Sequence, residues 1–165
     1  MIDLFPERGD FLRRVTNCIL KKNNHILLLK KPRRGWYAMP GGKMEQGESI
    51  KESAMREFWE ETGLHLINPD MRGAFTFLVQ EDGNVTLEWM MFTFFCEDYN
   101  GTLLAESPEG ILEWVAMEDL PHKQMAEGDR HILRHILNSE DIVYGRFNYS
   151  PEYELIDLEL DPPSP

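Results

Sequence analysis

Residues 42–64 read GKMEQGESIKESAMREFWEETGL, and the spacing within this stretch decides what kind of chain this is. Ser49 and Glu52 form an S-x-x-E capping box that opens a helix, and Gly63 is a natural stop. At 3.6 residues per turn, Ile50, Ala54, Met55, Phe58 and Trp59 cover about half the circumference. Ser53, Arg56, Glu57, Glu60 and Glu61 occupy most of the remainder, with Glu61 against the apolar border. Glu57, Glu60 and Glu61 are related by three and four residues, so their carboxylates share one patch, and Arg56 reaches Glu52 and Glu60 at i±4. A solvated acidic face is one account of such a run. Against it, the glutamates crowd the C-terminal half of the helix, where the macrodipole disfavours negative charge, and they repel one another. A hard divalent cation, Mg²⁺ or Mn²⁺, bound by carboxylate and carbonyl oxygens is the other account. On spacing alone both stand.

Gly42, five residues, Glu48, seven residues, Arg56-Glu57-Phe58, one residue, Glu60-Glu61, one residue, Gly63-Leu64: this pattern resembles the Nudix box at every fixed position. Phe58 stands where the family usually carries an aliphatic residue, and it is equally apolar. The resemblance implies an α+β fold, an α/β/α sandwich with a mixed β-sheet and the box helix packed on it. It also implies an enzyme that cleaves a phosphoanhydride with Mg²⁺, or Mn²⁺, held by the box. Carried over residue by residue, it makes Glu57 and Glu61 metal ligands and Glu60 a ligand or a partner to bound water. The Gly41 carbonyl becomes a further ligand, Arg56 an orienting partner, and Glu48 a tie to the loop. Arg56, Glu57, Glu60 and Glu61 are thereby the expected catalytic set.

Outside the box the chain resembles the MutT/MutX-like, 8-oxo-dGTP diphosphatase-type members of the family. The segment Glu109-Gly110-Ile111-Leu112-Glu113-Trp114-Val115 is similar to one in which a glutamate before a strand contacts metal, which makes Glu109 a fifth ligand position. Glu127-Gly128-Asp129 before a short helix, and Gly145–Tyr149 near the end, are also similar; the matching acidic residue there reads the purine, so Asp129 is the expected base reader. Two positions depart. Ala126 replaces a tryptophan that often stacks on the base, and Ala38 replaces a purine-binding asparagine. Losing a stacking ring costs about 1–3 kcal/mol of base recognition unless Trp36, Tyr37 or Phe77 substitutes. The implied reaction converts a nucleoside triphosphate, such as 8-oxo-dGTP, to the monophosphate and pyrophosphate. ADP-ribose or another diphosphate conjugate is the alternative substrate class, and a non-catalytic nucleotide sensor the alternative of another kind.

The remainder of the chain reads as one domain over 1–160 with a disordered tail, 161–165. Strand character recurs at 13–20, 25–31, 73–80, 85–96 and 111–117, with a hairpin turn at 81–84. Residues 129–138 carry a second helix, and Glu152–Leu160 alternates apolar and acidic residues like an edge strand. Lys30, Lys31, Arg33, Arg34 and Lys43 flank the box; Arg33, Arg34 and Lys43 are candidate phosphate-gripping residues, with solvated loop charges the competing account. A net charge of −12 with 17 Lys and Arg leaves no basic face for a nucleic-acid polymer, so the expected partner is a small nucleotide. Cys18 and Cys96 are too few for a disulfide framework. Charges interrupt the N-terminal stretch before any signal-like apolar run, and no stretch has the length of a membrane span, so the reading is a cytoplasmic protein, monomer or homodimer.

Overall fold

The computed structural model describes residues 12–165; the N-terminal stretch read above for targeting, and the first part of the 1–160 domain, lie outside the described residues. β1 (Arg13–Lys22) and β2 (His25–Lys30) form the first hairpin, turning through Asn23 and Asn24 at φ 49° and 61°. Asparagine tolerates that left-handed region better than most residues. β3 (Tyr37–Ala38) and β4 (Gly41–Lys43) follow, then α1 (Ile50–Thr62). Next come β5 (Leu64–Leu66), β6 (Asp70–Glu81), β7 (Asn84–Cys96) and β8 (Tyr99–Gly101). The chain closes with β9 (Ile111–Ala116), a 3-10 helix (Met117–His122), α2 (Glu127–Asn138), β10 (Val143–Tyr149) and β11 (Leu155–Asp161).

The main sheet runs β11-β10-β6-β7-β1-β2-β3, with β4 on β1 and β9 on β2. It is mixed: β1 runs parallel to β7 and β10 parallel to β6, while the other pairings are antiparallel. β5 and β8 make a separate two-stranded sheet. β1 is buried on both faces from Thr16 to Leu20, as a central strand between two helical layers must be. Cys18 and Leu20 face α1, packing with Ala54, Phe58 and Phe94, whereas Ile19 faces α2, packing with Ile132, Ile136, Phe75 and Phe147. That is the expected α/β/α layering, produced by the two-residue period of a strand.

The capping box on α1 forms as read: Ser49 accepts from the Glu52 amide and Glu52 from the Ser49 amide. Gly63 caps the other end at φ 80°, its N–H bonded to the Trp59 carbonyl. The buried face of α1 is rotated from the apolar stripe. Ser53, Ala54, Phe58, Glu61 and Thr62 are buried, whereas Trp59 is 47% exposed and stacks on His65. The reason is that β1 offers a polar partner: Ser53 Oγ and Thr16 Oγ1 share a hydrogen bond at 2.8 Å, which removes the cost of burying both hydroxyls. The second helix begins two residues earlier than expected, at Glu127. The last strand starts at Leu155, because Ser150–Glu154 is a turn in which Ser150 Oγ accepts from the Glu154 amide. β11 lies at the end of the sheet order, an edge strand as its alternation suggested. Asp161 closes that strand, and the Pro162 carbonyl lies 2.9 Å from His135 Nε2, so the tail begins docked on α2. Cys18 and Cys96 are free and buried. Among the described residues no helix is long and apolar enough to cross a membrane.

Candidate active site

The box folds as a short strand, a loop and a helix that close on one another. β4 pairs with β1, placing Gly41 opposite Asn17 and Gly42 opposite Thr16. A Cβ on Gly41 would lie 2.1 Å from the Thr16 carbonyl oxygen, and one on Gly42 would lie 2.4 Å from Glu57 Oε2. The double glycine is therefore what lets the strand pass between β1 and the acidic face of α1.

Arg56 gathers the loop and the helix. Its Nε and Nη2 donate to the two oxygens of Glu48, Nη2 to the Lys43 carbonyl at 3.1 Å, and Nη1 to Glu57 at 2.9 Å and Glu60 at 3.2 Å. The paired contact to Glu48 holds that carboxyl down at about 2 and raises the guanidinium. Glu48 is thus the tie to the loop that the sequence suggested. Glu57 and Glu60 are brought together at the same guanidinium, with Glu60 the more exposed of the two.

Glu61 points the other way. It is 4% exposed; its Oε2 accepts from the Gly41 amide at 2.9 Å, and its Oε1 lies 4.0 Å from Lys31 Nζ. Burial raises its carboxyl to about 7, opposed by Lys31 and the Gly41 amide and reinforced by the charges of Glu57 and Glu109. A buried carboxylate that its acidic neighbours push further upward is short of positive charge, and a divalent cation would reverse that balance. The available donors, carboxylates and the carbonyls of a glycine turn, are hard oxygens of the kind Mg²⁺ and Mn²⁺ take. Among the described residues, no three such side chains stand preassembled in ligand geometry; Glu57 and Glu60 are turned onto Arg56 instead.

Asp129 lies apart from this cluster, at a cavity of about 200 Å³. Its walls are the rings of Trp36, Phe77, Trp89, Tyr149 and Tyr153. Phe77 stacks between its neighbours, 5.1 Å from Trp89 and 6.1 Å from Tyr149. Burial alone lifts the Asp129 carboxyl to about 6. Tyr149 Oη accepts from the Gly128 amide at 2.7 Å, fixing the first turn of α2, which has no side-chain N-cap at Ala126. Met91 lines the cavity too, and Asn17, opposite Gly41, donates to Met91 Sδ at 3.3 Å. The aromatic cavity and the glycine turn thus share a wall.

Of the residues that sequence pointed to, Trp36 and Phe77 line this cavity, and Tyr37 does not. The Tyr37 hydroxyl bonds Glu113, and its ring faces Lys30 and Lys123. Arg33 and Lys43 are exposed. Arg34 lies over the rings of Trp36 and Tyr153. Tyr149 and Tyr153 are not singled out by sequence as pocket walls; the signals for them are the resemblance over Gly145–Tyr149 and the aromatic character of residues 147–153.

The NUDIX domain family model matches residues 11–136. A Bacillus subtilis protein named as the Nudix hydrolase YvcI is 47% identical over 152 residues, covering 92% of this chain and 96% of that one. The human 8-oxo-dGDP phosphatase NUDT18 is 35% identical over 129 residues, 76% of this chain and 34% of that protein. A crystal structure of the mutator MutT protein from Bacillus halodurans matches with a TM-score of 0.90 at 47% identity, covering 92% of this chain and 99% of that one. Fold and acidic loop–helix together define a hydrolase of nucleotide-like phosphoanhydrides. The chain belongs to the Nudix hydrolase family, whose members generally use divalent metal ions.

Proposed function

We propose that the chain hydrolyses a purine nucleoside triphosphate, 8-oxo-dGTP among them, to the monophosphate and pyrophosphate in a Mg²⁺-dependent reaction that clears damaged nucleotides before they enter DNA. The observation that carries this reading is the shared wall between the two halves of the site. The Gly41 turn, Asn17 and Met91 join the carboxylate cluster to a ring-lined cavity that ends in one carboxyl, Asp129. A purine fits such a cavity: aromatic faces accept its plane, and an ionised Asp129 accepts N–H donors at its edge. The set of rings replaces the stacking residue that Ala126 lacks. The named activity of the human relative, an 8-oxo-dGDP phosphatase, supports an oxidised guanine as the base.

In this reading Glu57, Glu60, Glu61, Glu109 and the Gly41 carbonyl hold the metal. When bound, the metal neutralises phosphate charge and lowers the pKa of an attacking water. Arg56 keeps Glu57 and Glu60 facing the same side of α1 and ties them through Glu48 to the loop. The Gly41 amide holds Glu61 in its buried position, and Lys31 supplies a neighbouring positive charge. Arg33, Arg34 and Lys43 meet the phosphates from the flanking loops.

A hydrolysis panel tests the proposal. Normal and oxidised nucleoside triphosphates, 8-oxo-dGDP, ADP-ribose, dinucleoside polyphosphates and nucleotide sugars are offered with Mg²⁺, and the phosphate products are resolved. Preference for a purine triphosphate with pyrophosphate release is the expected result. Preference for ADP-ribose or another conjugate overturns the substrate, and turnover of none of them overturns the enzymatic reading in favour of a nucleotide sensor.

A further inference from the structure

We infer that Tyr149 is a positioning residue for Asp129: its hydroxyl caps α2 from the cavity wall and so holds the base-reading carboxyl in place. The inference rests on the reading of the ring-lined cavity as a purine site.

The two helices begin in opposite ways. At α1 the cap is Ser49, and the third helical residue, Glu52, reaches back to the Ser49 amide and closes the box. At α2 the corresponding positions are Ala126 and Asp129. The Ala126 backbone has the extended form of a cap, φ −59° and ψ 137°, and its carbonyl accepts from the Arg130 amide at 3.2 Å. It has no side-chain oxygen to accept from the first turn. Asp129, in the place that Glu52 takes in α1, lines the cavity beside Ala126.

The missing acceptor comes from β10. Tyr149 Oη accepts from the Gly128 amide at 2.7 Å, the bond that a hydroxyl at position 126 would ordinarily make to the second or third residue of the helix. Gly128 admits it: a Cβ there would lie 2.5 Å from Tyr149 Oη. The phenol is itself fixed. Tyr149 is 3% exposed, its ring stacks on that of Phe77 with 6.1 Å between centroids, and it stands opposite Val79 in the pairing of β10 with β6. Burial pushes the phenol up to about 12, so the cap is uncharged and brings no second negative charge to Asp129, as a carboxylate cap would. Asp129 follows Gly128 directly. The carboxyl that reads the base is therefore held by a ring of the same wall against which the base packs.

Tyr149→Phe keeps the ring and removes the acceptor. Amide exchange in the first turn of α2, read by NMR on the ligand-free chain, and kinetics with dGTP are compared in three proteins. These are the wild-type chain, Tyr149→Phe, and Tyr149→Phe with Ala126→Ser, which supplies the cap in its ordinary place. In Tyr149→Phe the Gly128 and Asp129 amides exchange about 5-fold faster and KM rises about 5-fold, the equivalent of one lost cap, while kcat changes less. KM follows because the competent turn is populated less. The second substitution restores both, judged against Ala126→Ser alone; Ala126→Thr replaces it should exchange stay fast. Unchanged exchange in Tyr149→Phe, fast exchange with an unchanged KM, or a raised KM that persists once exchange is restored each overturns the positioning role. Fast exchange that neither capping substitution corrects overturns it too, because the hydroxyl is then not standing in for a cap. Asp129→Asn, run in parallel, separates the two readings: an unchanged KM there overturns the purine reading itself, whatever the exchange shows.

Discussion

The Gly41 amide donates to Glu61 Oε2 at 2.9 Å, so the end of a short strand and the last turn of α1 are fastened to each other by a buried carboxylate. Around that bond the two glycines of the turn do different work. A Cβ on Gly41 meets backbone, the Thr16 carbonyl, whereas a Cβ on Gly42 meets the movable carboxyl of Glu57. Gly41→Ala is expected to lose about 1–3 kcal/mol of stability in urea unfolding, as overpacking against fixed atoms does. Gly42→Ala should fold normally and bind Mg²⁺ about 10- to 100-fold more weakly, because Glu57 is pushed aside. Equal effects on folding and metal binding in the two variants would contradict this division.

Arg56 is the counter-charge for Glu48, Glu57 and Glu60, and its fork matters as much as its charge. Arg56→Lys keeps the charge and loses the paired contact to Glu48. A loss of about 2 kcal/mol in denaturant unfolding is expected, in the range for hydrogen bonds to charged groups. Glu48, held at about 2, contributes stability that is fully present above its ordinary range near 4.5 and is lost as pH falls toward 2. Acid titration of stability should therefore be shallower over that window in Arg56→Lys than in the wild-type chain.

Asp129 has the opposite sign. Its folded-state carboxyl sits near 6, raised by burial, so the folded protein holds that proton more tightly than the unfolded chain. Its contribution to stability falls as pH rises from about 4 to about 6 and is level above that. Asp129→Asn should stabilise the chain at pH 7.5 more than at pH 4.5, by thermal unfolding, while raising KM for guanine nucleotides. In the wild-type chain KM for dGTP should rise as pH drops below about 6, where the carboxyl loses one acceptor site. A flat KM across that range would remove Asp129 from base reading.

Metal binding should release a proton near neutrality. Glu61 is held at about 7 by burial without a cation, and a ligand carboxylate must be ionised. Mg²⁺ affinity, by calorimetry in buffers of different ionisation enthalpy, should weaken as pH falls through 7. Proton release should disappear in Glu61→Gln.

What could be read from sequence follows from locality. The box helix, its cap and its stop are set by residues within four positions of one another, and Ser49, Glu52 and Gly63 do what their spacing implies. The hairpin at 81–84 is equally local in origin, whereas the two-sided burial of β1 comes from its central place in the sheet. The polar side of α1 was harder: Ser53 and Glu61 are buried because Thr16 and Gly41, on other strands, supply their partners. The aromatic cavity was harder still. Trp89 meets Phe77 across the antiparallel pairing of β6 with β7, Tyr149 arrives through the parallel pairing of β10 with β6, and Trp36 and Tyr153 come from loops, contacts that no short-range pattern encodes.

In the proposed function the carboxylates of α1 run a metal-dependent cleavage of a purine triphosphate. Hydrolysis of 8-oxo-dGTP with and without Mg²⁺, by the wild-type chain and by Glu61→Gln, with products separated by ion-exchange chromatography, tests it most directly. Monophosphate and pyrophosphate should appear only with the metal, and turnover by Glu61→Gln should fall by about 100-fold or more, at or beyond the upper end of what loss of a supporting partner costs, with the fold retained. Metal-independent release, or a Glu61→Gln variant that turns over like the wild-type chain, would contradict it.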